Sequence, residues 1–183
     1  MKLTPLVVAI GSVVTANSAF ANLLVNPGFE SANMSGWTTS SFTATNNDWH
    51  TGSWSTLNAG NFSLEQSFAP VAGSSVTEIS VWAKQPNLST FFFGFWILYS
   101  DASFSSTGGF TGTTTNTWTK FDFTSSVDTT KMVSGIRAFG YSSGGTNDVT
   151  WYDDFVVNAN PVPEPASFAV LGLGLLAFRR RRK

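Results

Sequence analysis

Thr77-Glu78-Ile79-Ser80-Val81-Trp82-Ala83-Lys84 alternates between two faces. Ile79, Val81 and Ala83 share one; Glu78, Ser80, Trp82 and Lys84 share the other. A period of two is the signature of a half-buried strand. Working outward, the same period returns. In Thr117 to Phe123, Phe121 and Phe123 alternate with Lys120 and Asp122. Met132 to Tyr141 and Val149 to Val157 read as further strands. Phe91 to Tyr99 is apolar on both faces, which predicts a central strand covered on both sides. Asn, Gly, Ser and Thr punctuate these runs at Asn58 to Asn61, Ser105 to Asn116 and Ser142 to Asn147. No stretch of residues 22–160 repeats apolar residues at helical spacing without interruption by Gly, Ser or Thr. The expected fold is all-β, a sandwich or barrel of short strands.

The 183 residues suffice for one domain. Apolar residues make up 42% of them and aromatics 15%, enough for a sizeable core. Charged residues are only 11%, against about 25% in an ordinary soluble domain. With no Cys, thiol catalysis and cysteine-ligated zinc are excluded. His50 is the single His and cannot build a multi-histidine metal site. Between Asn22 and Asn160 four basic residues face ten acidic ones, a net of −6. A surface that negative does not hold a phosphate backbone, so nucleic acid is not an expected partner.

Both ends read as addresses. Lys2, the apolar run Leu3 to Val14 and Ala19-Phe20-Ala21 form a secretory signal over residues 1–21. Residues 159–183 form a tail of linker, Pro163-Glu164-Pro165, an apolar stretch from Ala166 to Phe178, and a basic end. Thirteen residues as a helix rise roughly 20 Å, short of a hydrocarbon core of roughly 30 Å. Arg179, Arg180, Arg181 and Arg182 are expected to hold the extreme end in the cytoplasm. The tripartite tail resembles the PEP-CTERM sorting signal, also called an ice-binding protein C-terminal domain. That resemblance implies a membrane-embedded exosortase as processing partner. It also implies export, a transient anchor through the C-terminal helix, and then a cell-surface or extracellular location, often in bacteria that make exopolysaccharide or biofilm.

The segment between, residues 22–158, carries a second resemblance. It opens with Asn22-Leu23-Leu24-Val25-Asn26-Pro27-Gly28-Phe29-Glu30 and Gly36-Trp37. Val81-Trp82-Ala83-Lys84 and Thr117-Trp118-Thr119 follow, and Asp153-Asp154-Phe155-Val156-Val157 closes it. In that order these motifs resemble the galactose-binding-domain-like jelly roll of many carbohydrate-binding modules. The resemblance implies a single antiparallel jelly-roll β-sandwich, here flanked by a signal helix and a short C-terminal apolar helix. It implies neighbouring first and last strands and a structural calcium held by Glu30 with the Asp153/Asp154 pair. Two carboxylates facing each other would repel without a cation. Asp153 is in phase with Phe155 and Val157, so it is expected to point inward and Asp154 outward.

Phe91, Phe93, Phe95, Phe121, Phe123, Trp151 and Phe155 are assigned to the core, with Trp37 and Trp118 as core or edge packing. Trp82 shares its face with Glu78, Ser80 and Lys84 and is expected to be open to solvent. Trp49 and Trp54 lie in a polar loop beside His50. An open indole stacks on a sugar ring while Lys84 or a neighbouring amide binds hydroxyls. The glycan-contact residues are therefore expected among Trp82, Trp49, Trp54 and Lys84. No nucleophile elbow, phosphate loop or His–carboxylate relay is present. The expectation is a non-catalytic, secreted, exosortase-sorted surface or matrix protein associated with polysaccharide. The alternatives are an ice-binding or adhesive surface, favoured by the Thr-rich run Thr111 to Thr119, and a carbohydrate-active enzyme.

Overall fold

A computed structural model describes residues 22–59, 62–85, 91–111, 116–142 and 149–160. The expected signal helix and C-terminal apolar helix lie outside these residues, as do Pro163, Glu164, Pro165 and the terminal arginines. Among the described residues no helix is long and apolar enough to cross a membrane.

Among the described residues ten strands form in chain order: β1 (Thr38–Ser40), β2 (Thr43–Thr45), β3 (Ser55–Ala59), β4 (Phe62–Ala72), β5 (Val76–Lys84), β6 (Phe91–Tyr99), β7 (Phe104–Thr111), β8 (Thr119–Asp122), β9 (Met132–Ser142) and β10 (Val149–Ala159). They make two five-stranded antiparallel sheets. The first has the order β1-β4-β9-β6-β7 and the second β2-β3-β10-β5-β8. The crossing order is that of a jelly-roll sandwich. The core between the sheets holds Leu64, Phe95, Ile97 and Ile136 from the first and Ile79, Val81, Tyr152 and Phe155 from the second.

The alternation in β5 is observed. Ile79, Val81 and Ala83 are fully buried, and Glu78, Trp82 and Lys84 are half-buried. Ser80 departs from its face: it is buried, with its hydroxyl donating to Glu78 Oε1 at 2.8 Å. β6 departs from expectation as well. Phe95, Ile97 and Tyr99 are buried, but Trp96 and Leu98 are half-buried on the solvent side. Among the described side chains of the strand, the outer face carries Trp96 and Leu98, which border a cleft instead of a second packed layer. Phe91 and Phe93 lie outside the described side chains. The Ser/Gly-rich stretch from Ser105, expected as a loop, is the edge strand β7, paired with β6 alone. An edge strand buries only one face, so it needs few large side chains.

β10 holds the largest local departure. Thr150 and Tyr152 point into the core, and so do Phe155 and Val157. The inward parity changes between them. Asp154 sits at φ 46°, and the register with β5 slips between Asp153 and Val156. That is a β-bulge, which re-aims the side chains beyond it. Trp151, assigned to the core with the other aromatics, is half-buried on the outer face, and Tyr152 takes the core position.

The N-terminal segment docks against this strand. Leu23 N–H donates to Val157 O at 2.9 Å, and Asn22 Nδ2 donates to Phe155 O at 2.7 Å. Phe29, Trp37 and Phe155 pack ring on ring, with centroids 5.6, 6.1 and 4.8 Å apart. Trp37 is thus core, its Nε1 donating to Asn26 O at 3.1 Å. The resemblance implies neighbouring first and last strands; here the first strand, β1, pairs with β4 in the other sheet, and it is the non-strand N-terminal segment that lies beside β10.

The bulge makes a testable ordering. Tyr152→Ala should cost about 3–5 kcal/mol, the usual loss for truncating a fully buried aromatic. Trp151→Ala should cost clearly less. Urea unfolding of both variants checks this, and the reverse order would contradict the bulge.

Candidate functional site

The bulge gathers the acidic residues. Asp153 has no exposed surface. Its Oδ2 accepts the N–H of His50 at 2.8 Å and of Thr51 at 3.3 Å, and Oδ1 accepts its neighbour Asp154 N–H at 2.7 Å. Burial pushes the Asp153 carboxyl up to about 7. The charge of Asp154 adds to the rise, and the three N–H donors oppose it. Asp154 is half-buried; its carboxylate meets His50 Nδ1 at 2.7 Å and accepts the Thr51 hydroxyl at 2.8 Å. Glu30, which is exposed, accepts the N–H of Ser53 and of Trp54, each at 3.0 Å.

The Asp153 and Asp154 carboxylates border Gly28, while the Glu30 carboxylate lies against Gly52 and reaches Gly28 only through its Cγ. A Cβ on Gly28 would lie 3.3 Å from Asp154 Oδ1, 3.5 Å from Asp153 Oδ1 and 3.9 Å from Glu30 Cγ. The surroundings are hard oxygen, the donor type that calcium takes. Among the described residues, however, no group of three His, Cys, Asp or Glu side chains is placed to hold a metal ion. Any ligand set here would have to be completed by backbone carbonyls.

The same carboxylates fix residues 46–54 against the outer face of the second sheet. His50 stacks on Trp82, with centroids 3.7 Å apart and planes at 16°. Asp48 joins two elements: Lys84 Nζ lies 2.5 Å from Oδ2, and Trp118 Nε1 donates to Oδ1 at 3.0 Å. Trp82 is therefore half-buried beneath His50 rather than open, and the Lys84 ammonium is paired. Trp54 is half-buried and packs on the core. Trp49 remains 43% exposed. The four residues singled out from sequence share one side of the molecule, and Trp49 is the open ring among them.

The first sheet carries a different arrangement on its outer face. Cross-strand register aligns Thr38, Glu65, Arg137, Trp96 and Ser106, one from each of its five strands. At the usual strand spacing this row spans about 19 Å. Trp96 stacks on Phe104, with centroids 4.2 Å apart and planes at 17°. Phe139 meets Trp96 at 4.9 Å and 60°. The Arg137 guanidinium lies 5.3 Å from the Trp96 ring centre and pairs with Glu65, its Nε 2.5 Å from Oε2. Phe139 lies over Gly94, where any Cβ would run into its ring. Phe104 is 50% exposed. Beside it opens a cleft of about 360 Å³, lined by Trp96, Leu98, Ser103, Phe104, Ser134 and Arg137 among others. Among the described residues that line this cleft none is a carboxylate.

The turn at the end of the cleft is held by Asp101. Its carboxyl is held down at about 2, first by the Ser103 hydroxyl, then by Ser103 N–H and Lys131. Lys131 Nζ also donates to Ser103 Oγ at 2.6 Å.

Trp96, Phe104, Phe139 and Arg137 were not reached from the sequence as site residues. The unbroken apolar run Phe91 to Tyr99 hid the alternation of β6. Gly94 inside that run was the available signal, since a strand glycine marks a close approach.

Residues 161–183 match the model of the PEP-CTERM protein-sorting motif, which implies an exosortase-sorted secreted protein. No curated protein sequence matches the chain. Among solved structures the chain is similar to a family 61 carbohydrate-binding module in complex with β-1,4-galactotriose. The TM-score is 0.58 at 18% identity, over 76% of this chain and 99% of that one. It is also similar to a family 22 xylan-binding domain from Paenibacillus barcinonensis, with a TM-score of 0.53 at 17% identity over 81% and 100%. A family 16 carbohydrate-binding module gives 0.54 at 15% identity over 74% and 99%. At these identities the likeness establishes the fold, a carbohydrate-binding-module-like β-sandwich.

Proposed function

We propose that this is a non-catalytic polysaccharide-binding protein, exported and then sorted to the cell surface or matrix by an exosortase. The outer face of the first sheet is its binding surface. The observation that carries this reading is the Trp96–Phe104 stack beside Arg137 in an open cleft. Aromatic faces cover the apolar side of a sugar ring, while Arg137 and Ser134 offer hydrogen bonds to hydroxyls. The row across five strands suits an extended chain lying across the sheet. A cleft without carboxylates among its described lining residues has no acid–base pair there for glycoside hydrolysis, which favours binding over cleavage. The module-like fold and the sorting motif support the same reading.

The test is titration of the full chain with xylan and β-1,4-galactan. Trp96→Ala and Phe104→Ala should each weaken binding about tenfold or more, the loss expected for a truncated anchor. Phe104→Ala should leave the melting temperature close to that of the parent, because the ring is half exposed. Absence of binding to either polysaccharide, or unchanged affinity in both variants, would contradict the reading.

We propose in addition a structural calcium held by Asp153, Asp154 and Glu30 together with backbone carbonyls. Bound there, it would neutralise a buried carboxylate and join the N-terminal segment to β10. The glycine-floored, oxygen-rich surroundings support this. At a hundredfold excess over Kd, calcium should add about 2.7 kcal/mol to stability. Asp153→Asn should remove that gain. A chain melting at one temperature in calcium and in EDTA would contradict the proposal.

A further inference from the structure

Trp49 is left unused by the cleft on the first sheet. Its indole is 43% exposed, and among the described ring contacts none involves it. An exposed tryptophan on a mobile loop would mean little. This one is held at both sides. Asp48 is fixed by Lys84 and by Trp118 Nε1, and its carbonyl accepts the Ser55 hydroxyl at 2.6 Å. His50 is fixed by its stack on Trp82, by Asp154 at Nδ1 and by Asp153 at the backbone. Further along, Thr51 is bound to Asp153 and Asp154, and Ser53 and Trp54 to Glu30. The ring is presented from a pre-ordered base, so little ordering entropy remains to be lost when something stacks on it.

Its surroundings identify the kind of partner. Asn46, Asn47, Thr51, Gly52 and Ser53 are exposed around it. Asp48, the nearest carboxylate in sequence, is already neutralised by Lys84. The exposed residues of the loop itself are this indole and uncharged donors and acceptors, with the Glu30 carboxylate bound to the N–H groups of Ser53 and Trp54 at its far end. A protein anchor would instead sit among other contacts that exclude water. The only other large apolar residues exposed among those described are Val25, Phe104 and Met132, none of them on this loop.

Position adds the consequence. The loop rests on the outer face of the second sheet, through His50 on Trp82. The cleft lies on the outer face of the first. Packed sheets stand about 10 Å apart, and their outer faces point away from each other. We propose that Trp49, with Asn46 and Asn47, forms a second carbohydrate-binding surface, and that one domain thereby bridges two polysaccharide chains. The proposal takes only its ligand class from the function proposed above.

Light scattering of soluble xylan and of β-1,4-galactan, with the full chain added stepwise, tests it. A bridging protein raises scattering and then lowers it in excess, as each chain becomes singly occupied. Trp49→Ala should still bind but lose the rise, at an unchanged melting temperature. Trp49→Tyr, which keeps a stacking ring, should restore most of it. Phe104→Ala should also lose the rise. If the parent binds without raised scattering, or Trp49→Ala bridges as the parent does, the second surface is refuted and the cleft stands. If the parent binds neither polysaccharide, both readings fall.

Discussion

A carboxylate sealed from water must find donors inside the protein, and Asp153 finds them about a hundred residues away in the chain. Its bulge sets the inward parity of the last strand. Its oxygens bind the backbone of His50 and Thr51. Its partner Asp154 binds the His50 ring and the Thr51 hydroxyl. Around them the first residues of the domain pair with β10, and Phe29 and Trp37 pack on Phe155. N-terminal segment, loop 46–54 and closing strand thus meet at one polar junction. Positioning of Trp49 and coverage of Trp82 both follow from it.

The two outer faces then serve differently. On the second sheet the polar junction draws a loop down onto the indoles, leaving them half-buried and tied to Asp48, Lys84 and His50. On the first sheet the Trp96–Phe104–Phe139 cluster borders a cleft that is open among the described residues. Glu65 and Arg137 neutralise one another next to the rings, so the surface is aromatic and polar without net charge. A domain with an excess of acidic residues and such a surface suits a neutral polymer better than an anionic one. The absence of Cys leaves nothing in the fold dependent on oxidation during export.

The sheet class was legible in the sequence because alternation and turn punctuation are local signals. Ile79, Val81 and Ala83 fell where the period placed them. Asp153 was expected to face inward, and it is buried; Trp151, assigned to the core, lies half-buried on the outer face. The bulge separates the two outcomes, and it arises from the positive φ at Asp154, which an apolar–polar pattern does not encode. The site was less legible for a different reason. Trp82 looked open because its strand neighbours are polar, yet the covering ring comes from His50, thirty-two residues earlier. Trp96 looked like core because the residues on both sides of it are apolar, although it lies half-buried on the outer face against Phe104, Phe139 and Arg137. Coverage by a distant segment is a tertiary fact, and β7, built largely of Ser, Gly and Thr, gives no pattern from which to infer it.

The central claim is that the open aromatic face of the first sheet receives a polysaccharide chain. A crystal structure of the full chain soaked with xylohexaose or β-1,4-galactotriose tests it most directly. The account predicts sugar rings against Trp96 and Phe104, with hydroxyls bonded to Arg137. A bound oligosaccharide that leaves Trp96 and Phe104 bare would contradict it.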